Sequence, residues 1–247
     1  MMVDDRLPAW RSVLAVVAHP DDESFGLGAI LSTFAEQGAE LAVLCLTQGE
    51  ASTLHGVAGD LGEIRAQELA AAAAELGVGT VELLRYPDGQ LADTPLDELA
   101  VPVVDLAERL GVEGLLVFDP TGVTGHPDHR HATAAARSAA AKVGLPVLGW
   151  TVPARVAGAL NTEYAAGFSG HSPGDIDLSV RVNRSRQYQA VREHRSQALP
   201  TSVLWRRLEM LGPYEHLRWL PDANPHIPGH TPSASSAAST EVARNAS

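Results

Sequence analysis

The sequence has 247 residues, long enough for one domain with a sizeable core, and 45% of them are hydrophobic. Its formal net charge of −12 excludes a nucleic-acid or anionic-membrane partner that depends on an overall basic surface. Cys45 is the single cysteine, which excludes an intrachain disulfide and a cysteine-based zinc site.

The first residues carry acids where a secretory leader carries Lys or Arg, and the apolar stretch VLAVVA is too short to span a membrane. The expected location is therefore the cytoplasm. Val13–Ala18 reads as a buried strand, followed by a helix over Ser24–Gln37 that stops at Gly38. Leu41–Thr47 is a second strand, in which Cys45 is a small buried thiol rather than a nucleophile. Glu63–Leu76 is built of strong helix formers and ends at Gly77. Val81–Tyr86 is a third strand, Asp97–Leu110 an amphipathic helix, Leu115–Phe118 a fourth strand, Arg130–Lys142 an Ala-rich helix and Val147–Val152 a fifth strand. Beyond residue 153 the pattern weakens to a half-exposed strand over Ile176–Val182 and a polar helix over Arg184–Gln197. From Pro221 the chain is rich in Pro, Ser and Ala without periodicity, as a disordered tail is. Strands alternating with helices predict an α/β fold, with a Rossmann-like, mostly parallel sheet flanked by helices. The predicted organisation is a single domain over residues 1–220 and a tail over residues 221–247.

In such a sheet, ligands bind beyond the carboxyl ends of the strands. Two His/Asp clusters fall there: His19-Pro20-Asp21-Asp22-Glu23 after strand one, and His126-Pro127-Asp128-His129 after strand four. His19 and Asp22 are three residues apart, so both side chains can reach one point, whereas Asp21 between them must point elsewhere. His126 and His129 are also three apart, so one can ligate a metal while the other faces a substrate. Two histidines and one carboxylate leave an open coordination position, as catalytic zinc sites do. Gly26 and Gly28 suit a close approach of backbone to the pocket floor.

The segment AVVAHPDDESFGLGAIL, together with TGHPDH, resembles the zinc-dependent N-deacetylases called the PIG-L or LmbE-like family. Weaker matches are Thr47-Gln48-Gly49-Glu50, Arg65-x-x-Glu68, Pro87-Asp88-Gly89 and His194-x-Ser196-Gln197, and the likeness runs over roughly residues 13–197. It implies removal of an N-acyl group, usually acetyl, from an amino-sugar-containing small molecule. It implies Zn2+, with Fe2+ or another divalent ion as a substitute, on His19, Asp22 and His129. Asp21 is then the general base, His126 stabilises the oxyanion or protonates the leaving amine, and Asp128 orients His126. Glu50, Arg65 and Asp88 would lie near the sugar and His194 at the pocket rim. One departure is Thr124, where members acting on the mycothiol precursor carry a tyrosine.

The same ligand set also serves non-haem iron oxygenases, and the scaffold could serve an amidase of thiol conjugates or a non-catalytic sugar-binding protein. A free carboxylate beside the ligands favours hydrolysis. Arg181, Arg184, Arg186, Arg192 and Arg195 read as a solvated helix face or a site for an anionic substrate group. The expected partner is the small-molecule substrate, with no nucleic acid and no membrane; homo-oligomerisation is left open.

Overall fold

The computed structural model describes residues 4–54 and 58–220, so the tail expected from Pro221 lies outside the described residues. Among the described residues the sheet has seven strands. Five are parallel: β1 (Ser12–Val17), β2 (Glu40–Thr47), β3 (Thr80–Tyr86), β4 (Gly114–Phe118) and β5 (Val147–Thr151). Of two later strands, β7 (Tyr214–Trp219) pairs antiparallel with β5 and β6 (Leu178–Arg181) antiparallel with β7, giving the order β3-β2-β1-β4-β5-β7-β6. The helices are α1 (Asp22–Phe25), α2 (Gly28–Glu36), α3 (Leu61–Leu76), α4 (Leu96–Leu110), α5 (Pro127–Val143), α6 (Ala154–Tyr164), α7 (Ser185–Glu193) and α8 (Val203–Leu211).

Alternation in β1 explains why its sequence is apolar throughout. Val13, Ala15 and Val17 pack on one face of the sheet with Ile30, Phe34, Leu69 and Leu76. Leu14 and Val16 pack on the other with Leu99, Val103, Leu106 and Ala136. A strand buried on both faces has no polar side to show. The helix ends follow local chemistry. The Asp60 side chain accepts the Glu63 N–H at the start of α3, and Gly77 closes it in the left-handed conformation at φ 82°.

The single helix expected over Ser24–Gln37 is two helices, broken at Gly26–Leu27. A Cβ at Gly26 would lie 2.4 Å from the Phe118 ring, so this backbone runs against the end of β4. Three elements escaped the sequence reading: α6, α8 and β7. In β7 the apolar rhythm is interrupted by Glu215, which is fully buried and ion-paired with Arg184. Arg184 is therefore a structural partner rather than part of a solvated arginine face.

The strand order turns back between β1 and β4: the chain goes outward through β2 and β3 on one side, then through β4 and β5 on the other. That switch point opens a crevice at the carboxyl ends of β1 and β4, where both His/Asp clusters lie. Among the described residues, no helix is long and apolar enough to cross a membrane.

Candidate active site

The loop from β1 into α1 delivers the first cluster. Asp22 folds back so that its Oδ2 accepts the backbone N–H groups of Ala18 and His19, at 3.2 and 3.0 Å. The second cluster opens α5: Pro127 occupies its first turn, and the His126 side chain is its N-cap, its Nδ1 accepting the Asp128 N–H at 3.2 Å. The rings of His19 and His126 stand 4.9 Å apart, and those of His126 and His129 5.0 Å.

Asp22 links the clusters. Its Oδ1 is 3.1 Å from His129 Nε2 and its Oδ2 3.7 Å from His19 Nδ1. On its far side, His19 Nε2 lies 3.1 Å from Asp88 Oδ1 and 3.3 Å from Asp128 Oδ2. On the far side of His129, Nδ1 meets the Gly122 carbonyl at 3.1 Å. Each ring is thus fixed from behind by an acceptor, which leaves Nδ1 of His19 and Nε2 of His129 facing Asp22.

Among the described residues, two groups of side chains offer ligand atoms within 4.8 Å of one another: His19 with His126 and His129, and His19 with Asp88 and Asp128. The protein therefore has a potential His/Asp metal site, and its charge fits a cation. Burial alone would lower the His19 pKa, but Asp128, Asp88, Asp22 and Asp21 outweigh it and raise it to about 10. Burial also opposes ionisation of Asp22, yet His129 and His19 hold its pKa well below the carboxylate range. Carboxylates crowded this closely call for positive charge, which a divalent ion would provide.

Asp21 sits apart from this group. Its Oδ2 lies 3.0 Å from Arg65 Nη2, and the same guanidinium bonds the Pro20 carbonyl and, through Nη1, the Gly49 carbonyl at 2.7 Å. Burial pushes the Asp21 carboxyl up to about 6, with Arg65 pulling the other way. Its backbone is strained at φ 135°, a conformation that L-residues rarely adopt. A hydrogen bond from its N–H to Glu23 Oε2 at 2.9 Å helps hold it there.

The structure brings several of the expected site residues together on one cavity and places three others differently. Asp21, Asp88, Arg65 and His126 line a cavity of about 530 Å³ together with His19, Asp22 and His129. Asp128 was expected to orient His126. Its carboxylate instead accepts the Gly89 and Leu91 N–H groups, at 2.8 and 3.2 Å, and faces His19. His194 was expected at the rim; it is fully buried behind the site, its Nε2 2.6 Å from Glu23 Oε1. Glu50 accepts the Asp88 N–H at 3.0 Å and so braces the Asp88 loop rather than lining the cavity. Thr124 does line it. Sequence reasoning gave no role to Glu23, Phe118, Trp150 or Arg207. Only Glu23, inside the first motif, carried a signal that could have marked it.

The family model described as GlcNAc-PI de-N-acetylase, PIG-L, matches residues 14–140. A 1D-myo-inositol 2-acetamido-2-deoxy-alpha-D-glucopyranoside deacetylase from Streptomyces griseus is 36% identical over 61% of this chain and 54% of its own length. The chain spans about half the length of the first such curated relatives it matches. Among solved structures, the N,N'-diacetylchitobiose deacetylase of Pyrococcus horikoshii has TM-score 0.66 at 23% identity, covering 91% of this chain and 88% of that one. The 4-carboxy-2-hydroxymuconate hydratase of Pseudomonas putida KT2440 has TM-score 0.63 at 20% identity, covering 85% and 96%. One fold thus carries two different reactions. The matched segment holds both His-Pro-Asp motifs and spans more than half of the sequence, and the chain belongs to the PIG-L, GlcNAc-PI de-N-acetylase, family.

Proposed function

We propose that this protein is a metal-dependent amide hydrolase that removes an N-acyl group from an amino-sugar-containing small molecule. The observation that carries this reading is the pairing of a His/Asp cluster fit for a cation with a separate carboxylate, Asp21, on the same cavity. His19, Asp22 and His129 would hold the metal, zinc in the first instance. A divalent ion there supplies Lewis acidity and makes water available as a nucleophile near neutral pH.

The protein's own groups account for the rest. Asp21 Oδ2 is committed to Arg65, so Oδ1 accepts the proton of the attacking water. His126 accepts the Asp128 N–H on Nδ1, which puts the proton of the neutral ring on Nε2, where it can donate to the oxyanion. Burial holds the His126 pKa low, favouring that neutral form. The proton taken by Asp21 passes to the amide nitrogen, the C–N bond breaks, and an amine and a carboxylate leave. Ser52 and Thr53 line the same cavity and carry the hydroxyls that would face the sugar.

The relatives named as acetamido-sugar deacetylases support this substrate class. Release of acetate from N-acetylglucosaminides by zinc-loaded protein tests it. Failure across a broad panel of N-acyl amino sugars would overturn it, and turnover of an enol or olefin acid instead would point to water addition.

A further inference from the structure

The cavity has two chemically different sides. On the β2 and β3 side stand Ser52, Thr53, Arg65 and Asp88, all able to hydrogen-bond. On the β4 and β5 side stand mostly apolar groups, Phe118, Val123, Trp150, Phe168 and Leu204, with the hydroxyls of Thr124 and Ser202 among them. The His/Asp cluster lies between them, at the ends of β1 and β4. An amide held over that cluster puts one substituent on each side. On the amide-hydrolase reading above, the sugar hydroxyls match the polar side, and the acyl group falls on the apolar one.

Arg207, from α8, lines the apolar side. It is 7% exposed, and its guanidinium carbon lies 4.9 Å from the centre of the Trp150 ring. It donates through Nη2 to the Phe25 carbonyl, while Nε is buried with no hydrogen-bond partner among the described residues. The carboxylates whose field reaches it are Glu215 and Asp22. Glu215 is committed to Arg184 and to Trp150 Nε1, and Asp22 to His129. Burial pushes the Arg207 pKa down to about 10, so the group stays charged at neutral pH. A buried cation without a counter-ion of its own is costly, and a guanidinium matches a carboxylate in two-point geometry.

We propose that Arg207 is the anion-binding residue of an acyl subsite, whose preferred acyl group is an apolar chain or ring ending in a carboxylate. Hydrolysis is unchanged: water adds to the carbonyl, the C–N bond breaks, and a dicarboxylate and the free amine leave. The cavity is large enough for such a group beside a sugar.

The test compares N-adipoyl- and N-hexanoyl-glucosamine, which have the same chain length and differ in the terminal carboxylate. Wild-type kcat/KM should favour the adipoyl amide by about tenfold or more, as a charged hydrogen-bonded pair is worth. Arg207→Met, which keeps apolar bulk over Trp150, should bring that ratio near one, and Arg207→Lys should restore part of it. A wild-type ratio near one, or an unchanged ratio in Arg207→Met, overturns the proposal. Cleavage of N-acetylglucosamine with no cleavage of the adipoyl amide overturns it while leaving the hydrolase reading intact. If no amide is cleaved, the hydrolase reading fails, and calorimetric binding of adipate against hexanoate decides the anion site. Tighter adipate binding that Arg207→Met abolishes supports it, and equal binding overturns it.

Discussion

Arg65 Nη2 lies 3.0 Å from Asp21 Oδ2, and both side chains are largely buried. The arginine also bonds the Pro20 and Gly49 carbonyls, so it fixes the charge and the backbone around the proposed base together. Removing one partner of a buried pair leaves the other uncompensated, at a cost of about 3–5 kcal/mol. Arg65→Met should therefore lower the unfolding free energy by about that much, measured by denaturant titration. Arg65→Lys should lose less, because it keeps the charge and gives up only the fork.

Gly49 makes room for that arginine. It sits at φ 64°, and a Cβ there would fall 2.2 Å from Arg65 Nη1. Gly49→Ala combines a left-handed backbone with a displaced guanidinium. It should cost about 1–2 kcal/mol for the backbone alone and should lower kcat. An alanine variant with wild-type stability would show that the loop relaxes without effect.

The parallel half of the fold was legible because its strands are buried on both faces and its helices end in glycines, as Gly77 does for α3. Both His-Pro-Asp motifs were legible for a related reason: a strand end in an open α/β sheet is a predictable place. The second half was harder to read, because its core contains charge. Glu215 and Arg184 neutralise each other inside the protein, and no local pattern announces a pair separated by more than a helix. His194 and Arg207 were misjudged or missed on the same ground. A polar side chain in sequence reads as exposed until its partner or its pocket is known.

Glu23 joins the buried rear of the site to its strained front. It accepts from the Asp21 N–H at 2.9 Å and the Ser24 hydroxyl at 2.5 Å, and it pairs with His194 at 2.6 Å. Glu23→Gln keeps the shape and removes the charge, so it should destabilise the protein by about 1.5–3 kcal/mol, the worth of a hydrogen bond to a charged group. Metal content should stay near wild type while kcat falls. A fall in metal content instead would place Glu23 in support of the ligands rather than of Asp21.

The proposed ligands make a separate prediction. His19→Ala and His129→Ala should each lose stoichiometric zinc, because a catalytic site with three protein ligands tolerates no deletion. Elemental analysis after dialysis measures this. Full occupancy in His129→Ala would shift the ligand set toward His19, His126 and the aspartates behind His19.

In the proposed reaction Asp21 moves the proton while its neighbours hold the metal. Zinc content and kcat measured on one preparation of Asp21→Asn test it most directly. The expected outcome is a zinc-replete protein whose kcat on an N-acetylglucosaminide falls by about 10²–10⁴-fold, the usual worth of a general base. A zinc-replete, fully active Asp21→Asn would contradict it, and so would a variant that has lost its metal.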